Sequence, residues 1–396
     1  MTSSVASRTS VGTGRSARVR PEDAVAEALS AARNALSGEP DACVFFATVG
    51  YDPHALTGAL RAQLPAGCAV VGCSGEGVTD AHGSDEDAHA LVVMLFASDR
   101  IGFTPVFASG LRGREVACAE DLAAQIRQVS DARVVVLLPD GLTGNLTTLV
   151  EALDAAVPGV LFVGGAAGDM LTFERTWQYA GEAVVTDGVA ALVLSGAIRA
   201  AVRISHGCAP IGRERVVTKS QGALVQEIDG VPVWKVFQEY IGVDRDELEA
   251  ADSIHLCIGR PLAKTGTDEY PEYVIRMPLG LDKDTGAVNF PGQLEEGAVV
   301  RLTRRDPERI VDGLRRATRS LKSLGAPLAL LQFDCAGRGR LLFGEAVSEH
   351  VVAPIVEEFP TTPIVGFHTY GEIGPLDGKT YYHNYTVALL ALFEEE

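Results

Sequence analysis

Four side chains able to make directed or stacking contacts follow one apolar run late in the chain. They are Phe367, His368, Tyr370 and Glu372, within Ile364-Val365-Gly366-Phe367-His368-Thr369-Tyr370-Gly371-Glu372-Ile373-Gly374-Pro375. Two are aromatic walls, one can trade a proton and one carries charge, the mixture a small-molecule site needs. A second group is Phe333-Asp334-Cys335-Ala336-Gly337-Arg338-Gly339. Arg338 there reads as a solvated turn arginine or as a donor fork for a carboxylate. A third, Gly72-Cys73-Ser74-Gly75-Glu76, sets a thiol, a hydroxyl and a carboxylate just past an apolar run. Cys73 or Ser74 as a nucleophile would need a distant base such as His206 or His368, and Gly-x-Ser-x-Gly fails at Glu76. Small residues at a strand end more often let backbones approach. The expected ligand-binding set is therefore Phe367, His368, Tyr370, Glu372, Arg338, Cys335, Cys73, Ser74 and Glu76, with no catalytic residue and no metal ligand.

The elements that position these groups repeat. Val70-Val71-Gly72, Phe162-Val163-Gly164 and Ile364-Val365-Gly366 are each an apolar run into glycine, with small residues and a carboxylate beyond. Each follows an apolar strand (43–49, 134–138, 328–333) and an amphipathic helix. Each precedes a polar loop and another strand (90–96, 189–194, 385–393). This is a β-α-β-loop-β unit used three times, and repetition of a whole unit is a stronger signal than one motif. Ligands collect beyond the carboxyl ends of strands in such sheets. Asp52-Pro53 and Asp306-Pro307 read as helix starts, with a capping carboxylate and proline in the first turn. The predicted class is α/β (α+β), with mixed sheets, helices packed outside, and two domains.

Other candidates are weaker. Asp140-Gly141-Leu142-Thr143-Gly144-Asn145 lies between strand and helix and could hold an anion, but fits no nucleotide pattern. His82, Asp85, Glu86, Asp87 and His89 match no metal-ligand spacing and read as a solvated hairpin tip. His206-Gly207-Cys208 offers a haem or metal ligand, or a hydrogen-bonded core histidine; without CxxCH any haem would be non-covalent.

The net charge is −18. Residues 1–20 hold four arginines and no acid, leaving 30 basic against 52 acidic residues, or −22. A body this acidic repels nucleic acid and anionic membrane surfaces. The seven cysteines contain no CxxC and sit in apolar runs, as buried reduced thiols do. No run approaches membrane-spanning length and no secretory segment precedes Pro21, so a cytoplasmic location is expected. Residues 1–20 read as a disordered tail.

The ordered set of motifs resembles the FIST family. Gly72-Cys73-Ser74 and Gly164-Gly165-Ala166-Ala167-Gly168-Asp169 are similar to the glycine-rich strands of a FIST N-terminal domain. His206 to Gly212, Val217-Thr218-Lys219 and Ile228-Asp229-Gly230 match the joining segment; 333–339 and 366–375 match the C-terminal domain. The resemblance places the N domain at 21–214, with two copies of the unit, and the C domain at 215–396. It implies a sensory input module for a small ligand, such as an amino acid or related metabolite. Some members bind haem, respond to nitric oxide and act on a histidine kinase or a cyclic-di-GMP enzyme. No such output segment occurs here, so the implied output is a separate partner protein.

Overall fold

The computed structural model describes residues 9–241, 256–262 and 273–395. A strand read from the sequence over Ile254 to Ile258 lies partly outside them, at 254 and 255. The fold is mixed α/β, as expected, and the unit recurs three times. Its centre is a parallel strand pair joined by helix: Ala42–Ala47 with Ala69–Ser74, Ala132–Pro139 with Leu161–Gly165, and Ala329–Cys335 with Ile364–Thr369. An antiparallel strand returns beside the first of each pair: Leu91–Ala97, Gly188–Gly196 and Val387–Glu394. Asp52 caps its helix by accepting from Ala55 N at 2.8 Å, and Asp306 accepts from Arg309 N at 3.2 Å, as those side chains do at helix starts.

Two features were not legible. The first is an exchange of hairpins. The short hairpin of the first unit, Val78–Asp80 with Gly83–Asp85, pairs with the third unit's Ile364–Thr369. The second unit's hairpin pairs with the first unit's Ala69–Ser74, and the third unit's with the second unit's Leu161–Gly165. The exchange runs in a cycle, so each six-stranded sheet contains strands from two neighbouring units. The inner faces share one core that includes Val44, Val163, Phe333 and Phe367. Phe46 and Phe367 ring centres lie 4.5 Å apart within it. Helices cover the outer faces, as the layer rule requires.

The second feature corrects the disordered tail over residues 9–20; residues 1–8 lie outside the described residues. Ser10–Ser16 is a strand paired antiparallel with Leu91–Ala97 over its whole length. It equals Ile101–Ser109 and Ile198–Ser205, the edge strands of the other two sheets. Its low hydrophobicity has a steric cause. A side chain at Gly12 or Gly14 would run into the carbonyls of Ala32 and Ala28, because helix Pro21–Arg33 lies directly on the strand. The arginine-rich composition also misled: Arg15 reaches Asp80 and Asp85, each at 3.2 Å. Those carboxylates belong to the predicted solvated hairpin tip.

In the third unit the edge strand and its helix Pro307–Lys322 are separated by 206–306. This insertion builds its own eight-stranded sheet, including Cys208–Gln221, Leu224–Ile228 and Val299–Arg305. It has a separate core around Trp234, Phe237 and Phe290. Among the described residues no helix is long and apolar enough to cross a membrane.

Deleting residues 1–20 removes an edge strand and uncovers Ala28 and Ala32. The truncated protein is expected to melt roughly 5 °C or more below the full chain, whereas deletion of residues 1–8 alone should shift the melt much less. Equal melting of the 1–20 deletion and the full chain would return the segment to a passive tail.

Candidate functional site

The three strand ends meet and are stitched by main-chain hydrogen bonds in a closed circuit. Glu76 N donates to His368 O and His368 N to Gly77 O, both at 2.9 Å, joining the first unit to the third. Tyr370 N donates to Ala166 O at 3.0 Å and Ala166 N to Gly371 O at 2.8 Å, joining the third to the second. Gly168 N donates to Ser74 O at 3.0 Å, joining the second back to the first. Glycine is obligatory at 168: a Cβ there would lie 2.8 Å from Glu76 N.

One functional side chain from each unit converges at this junction. The Tyr370 hydroxyl is 2.7 Å from Asp169 Oδ1 and 3.2 Å from Glu76 Oε2, and it accepts from Leu171 N at 2.7 Å. Asp169 is fully buried and also holds the following loop. Its carboxylate accepts from Phe173 N at 3.1 Å, Glu174 N at 2.7 Å and Arg175 N at 2.9 Å. The loop needs holding, because Met170, Leu171 and Phe173 have φ of 60°, 56° and 53°. Non-glycine residues there cost of the order of 1 kcal/mol each, and such strain gathers at functional sites. Phe173 is 63% exposed and its ring stacks on Tyr370 at 5.5 Å.

The two carboxylates differ in charge state. Burial pushes Asp169 up, but its hydrogen bonds from Tyr370, Thr172, Arg175 and Glu174 outweigh that and lower its pKa. Glu76 is raised to about 7 by burial, with Glu86 and Asp169 adding repulsion. Among the described residues neither carboxylate forms an ion pair with a basic side chain.

The other expected residues lie beneath or beside this site. Phe367 is in the shared core. Cys73 is fully buried and burial raises its thiol pKa well above the ordinary value, so it is no thiolate nucleophile. Ser74 Oγ donates to Gly168 O at 2.7 Å and accepts from Trp177 N at 3.0 Å, making it part of the stitching. Arg338 is a fully buried arginine, neither a solvated turn residue nor a surface fork. It pairs with Asp334 at 2.8 Å and donates to Ser205 O at 2.7 Å. Glu372 is also fully buried; burial raises its pKa well above the ordinary value, and it bonds Thr369 Oγ1 and Thr386 N. Cys335 is buried beside it, its thiol raised by burial and then by Glu372. His368 is fully buried, with Nε2 2.8 Å from Ser84 Oγ.

Asp169, Phe173, Ser84 and Glu86 were missing from the expected set. Asp169 was visible as the second unit's carboxylate; the others required the loop conformation and the hairpin exchange. The possible anion loop is closed by the protein itself, since Asn145 N donates to Glu115 at 2.9 Å. Nor do the buried histidines fit an axial haem ligand. His206 Nδ1 accepts from Cys208 N at 2.9 Å, which leaves the proton on Nε2 and no lone pair there for iron. His383 Nε2 lies 3.1 Å from Gly374 O, which favours the protonated nitrogen, and His368 Nε2 is engaged by Ser84.

With this geometry in place, comparison with known proteins is direct. Residues 41–231 match the FIST N domain and residues 234–375 the FIST C domain. The chain belongs to the FIST family. FIST domains are associated with sensory roles in signal transduction. An uncharacterized protein of Mycobacterium tuberculosis is 31% identical over 400 residues, covering 97% of this FIST chain and 99% of the relative. An uncharacterized protein of Mycobacterium bovis is 30% identical over 405 residues, covering 98% and 99%. The crystal structure of cyanuic acid hydrolase from A. caulinodans is similar at TM-score 0.37 and 11% identity, covering 98% of this chain and 100% of that one. A likeness that low bears on neither substrate nor mechanism.

Two outcomes follow from the buried charges. Arg338→Ala strands Asp334 and should cost about 3–5 kcal/mol in urea unfolding, whereas Glu372→Gln, at a group whose charged form burial disfavours, keeps an oxygen for Thr386 N and should stay within about 1 kcal/mol. The reverse order would mean that Glu372 is the ionised member. For Glu76, whose folded pKa is raised, the stabilising contribution is complete below the ordinary 4.5 and is lost as pH rises through about 7. Glu76→Gln should therefore lose less unfolding free energy than wild type between pH 5 and 8; parallel curves would show that Glu76 does not titrate there.

Proposed function

We propose that this protein is a sensory module that binds a small molecule at the junction of its three units and passes the signal to a separate partner protein. The observation that supports it is the meeting of Glu76, Asp169 and Tyr370 under the strained 170–175 loop, with Phe173 exposed above. A ligand stacking on Phe173 or competing for Tyr370 acts on the hydrogen bonds that hold this loop, so occupancy changes the surface a partner meets. The ligand class is an amino acid or related metabolite. The partner class, from the family resemblance, is a histidine kinase or a cyclic-di-GMP enzyme, and the location is cytoplasmic.

The test is a thermal-shift screen of the full chain against the common amino acids, their amines and their keto acids, followed by calorimetry on each hit. A bound metabolite should lose about tenfold or more in affinity in Phe173→Ala, in line with the loss of an aromatic contact. The exposed position predicts an unchanged melt for the unliganded variant. A hit whose affinity is the same in Phe173→Ala and Glu76→Gln would place the site elsewhere, and a screen without any hit would count against the reading.

A further inference from the structure

The hairpin exchange creates a pair that neither unit has alone. Ser84 comes from the first unit's hairpin and His368 from the third unit's strand, 284 residues apart in sequence. Their contact is Oγ to Nε2 at 2.8 Å, the reach of a hydroxyl nucleophile and its base. We propose that Ser84 is an acylatable nucleophile with His368 as its general base, acting on small neutral carboxylic esters.

The two partners are placed unequally, as that chemistry requires. Ser84 is half-buried, and its main-chain N–H is anchored to Ser348 Oγ at 3.0 Å. His368 is fully buried, and its main chain is tied on both sides by the bonds to Glu76 and Gly77, so the ring cannot swing away. Burial, then the nearby Arg338 charge, lowers its pKa to about 4, so the ring is uncharged at pH 7, as a base must be, though a weak base whose turnover is slow. Glu86 Oε1 lies 3.5 Å from the same Nε2 and is itself fixed by Arg340 N at 2.8 Å. It stands where an imidazolium would form and offsets part of the cost of charging a buried ring. Of the acids that follow Ser84, Asp85 is paired with Arg15 and Asp87 with Arg340, which leaves Glu86, beside the imidazole, as the group a substrate carboxylate would meet; a neutral ester is favoured.

The step balances without a cofactor. Ser84 Oγ bonds to the ester carbonyl carbon while its proton passes to His368 Nε2. The carbon–alkoxy bond then breaks and the alcohol leaves with that proton. Water then attacks the acyl carbon while its proton passes to Nε2; the carbon–Oγ bond breaks, Oγ takes that proton back, and the carboxylic acid leaves with Ser84 restored.

The experiment uses the full chain and two probes. One is p-nitrophenyl acetate, read as released nitrophenol. The other is an alkyl fluorophosphonate, which forms an Oγ–P bond with loss of fluoride. The native protein should carry one phosphonyl group, mapped to the peptide containing Ser84. Ser84→Ala should abolish that label and cut ester turnover at least about tenfold. Its melt should fall by no more than a few degrees, the loss of one hydrogen bond to the buried imidazole, so the variant stays folded under the assay conditions. His368→Gln should lose labelling with Ser84 still present. Should that variant fail to fold, heat-denatured wild type replaces it, since a label that depends on His368 must disappear on unfolding. No label on the native protein, a label retained in Ser84→Ala, or equal labelling of native and denatured protein would each overturn the assignment.

Discussion

A closed circuit of main-chain hydrogen bonds at three strand ends is the constraint on which the rest of this molecule depends. Each unit's central strand stops where it meets the next, and the peptide groups freed there bond to a neighbouring unit rather than to water. Breaking any one link would leave buried donors and acceptors unpaired and separate strands that share a core. The hairpin exchange follows from the same arrangement. A chain leaving the junction from one unit is already beside the neighbour's sheet, and pairing there covers an edge that would otherwise be open.

Directly beneath the circuit lies a layer of polar groups that is costly to bury: Asp334, Arg338, His368, Thr369 and Glu372. Their protonation states are set against each other. Arg338 pairs with Asp334 and disfavours a charged His368, while burial disfavours the charged form of Glu372. Above the circuit the pattern reverses, and Asp169 spends its carboxylate on the main chain of a strained loop. The same junction thus has a buried polar floor and a strained loop over it.

Sequence reading reached the repeat because hydrophobic period and glycine punctuation are local properties. It named Tyr370 and Glu76, which lie 3.2 Å apart across 294 residues, from their shared place after a strand end. It could not separate these two from Phe367, Arg338 and Glu372. All five follow apolar runs, and what distinguishes them is which way the chain turns past the last strand residue. The edge strand Ser10–Ser16 was missed for a related reason. Its glycines and arginines answer to a helix lying on one face and to carboxylates on another unit, neither of which leaves a periodic trace.

The sequence by itself determined the elements: three β-α-β-loop-β units, their helix caps at Asp52 and Asp306, and the membership of the chain in the FIST family. These rest on interactions within about thirty residues, whose energies are written into composition and spacing. Tertiary structure decided how the units exchange hairpins. It therefore decided that Asp169 faces Tyr370, that Ser84 faces His368, and that Arg338 is a buried ion pair. Asp169–Tyr370 and Ser84–His368 join residues about two to three hundred positions apart, and they are brought together by hairpin pairing through main-chain bonds that any residue type except proline can make; the Asp334–Arg338 pair is local, but its burial is not. Sequence carries no mark of such pairing, because the groups that form it are common to every residue.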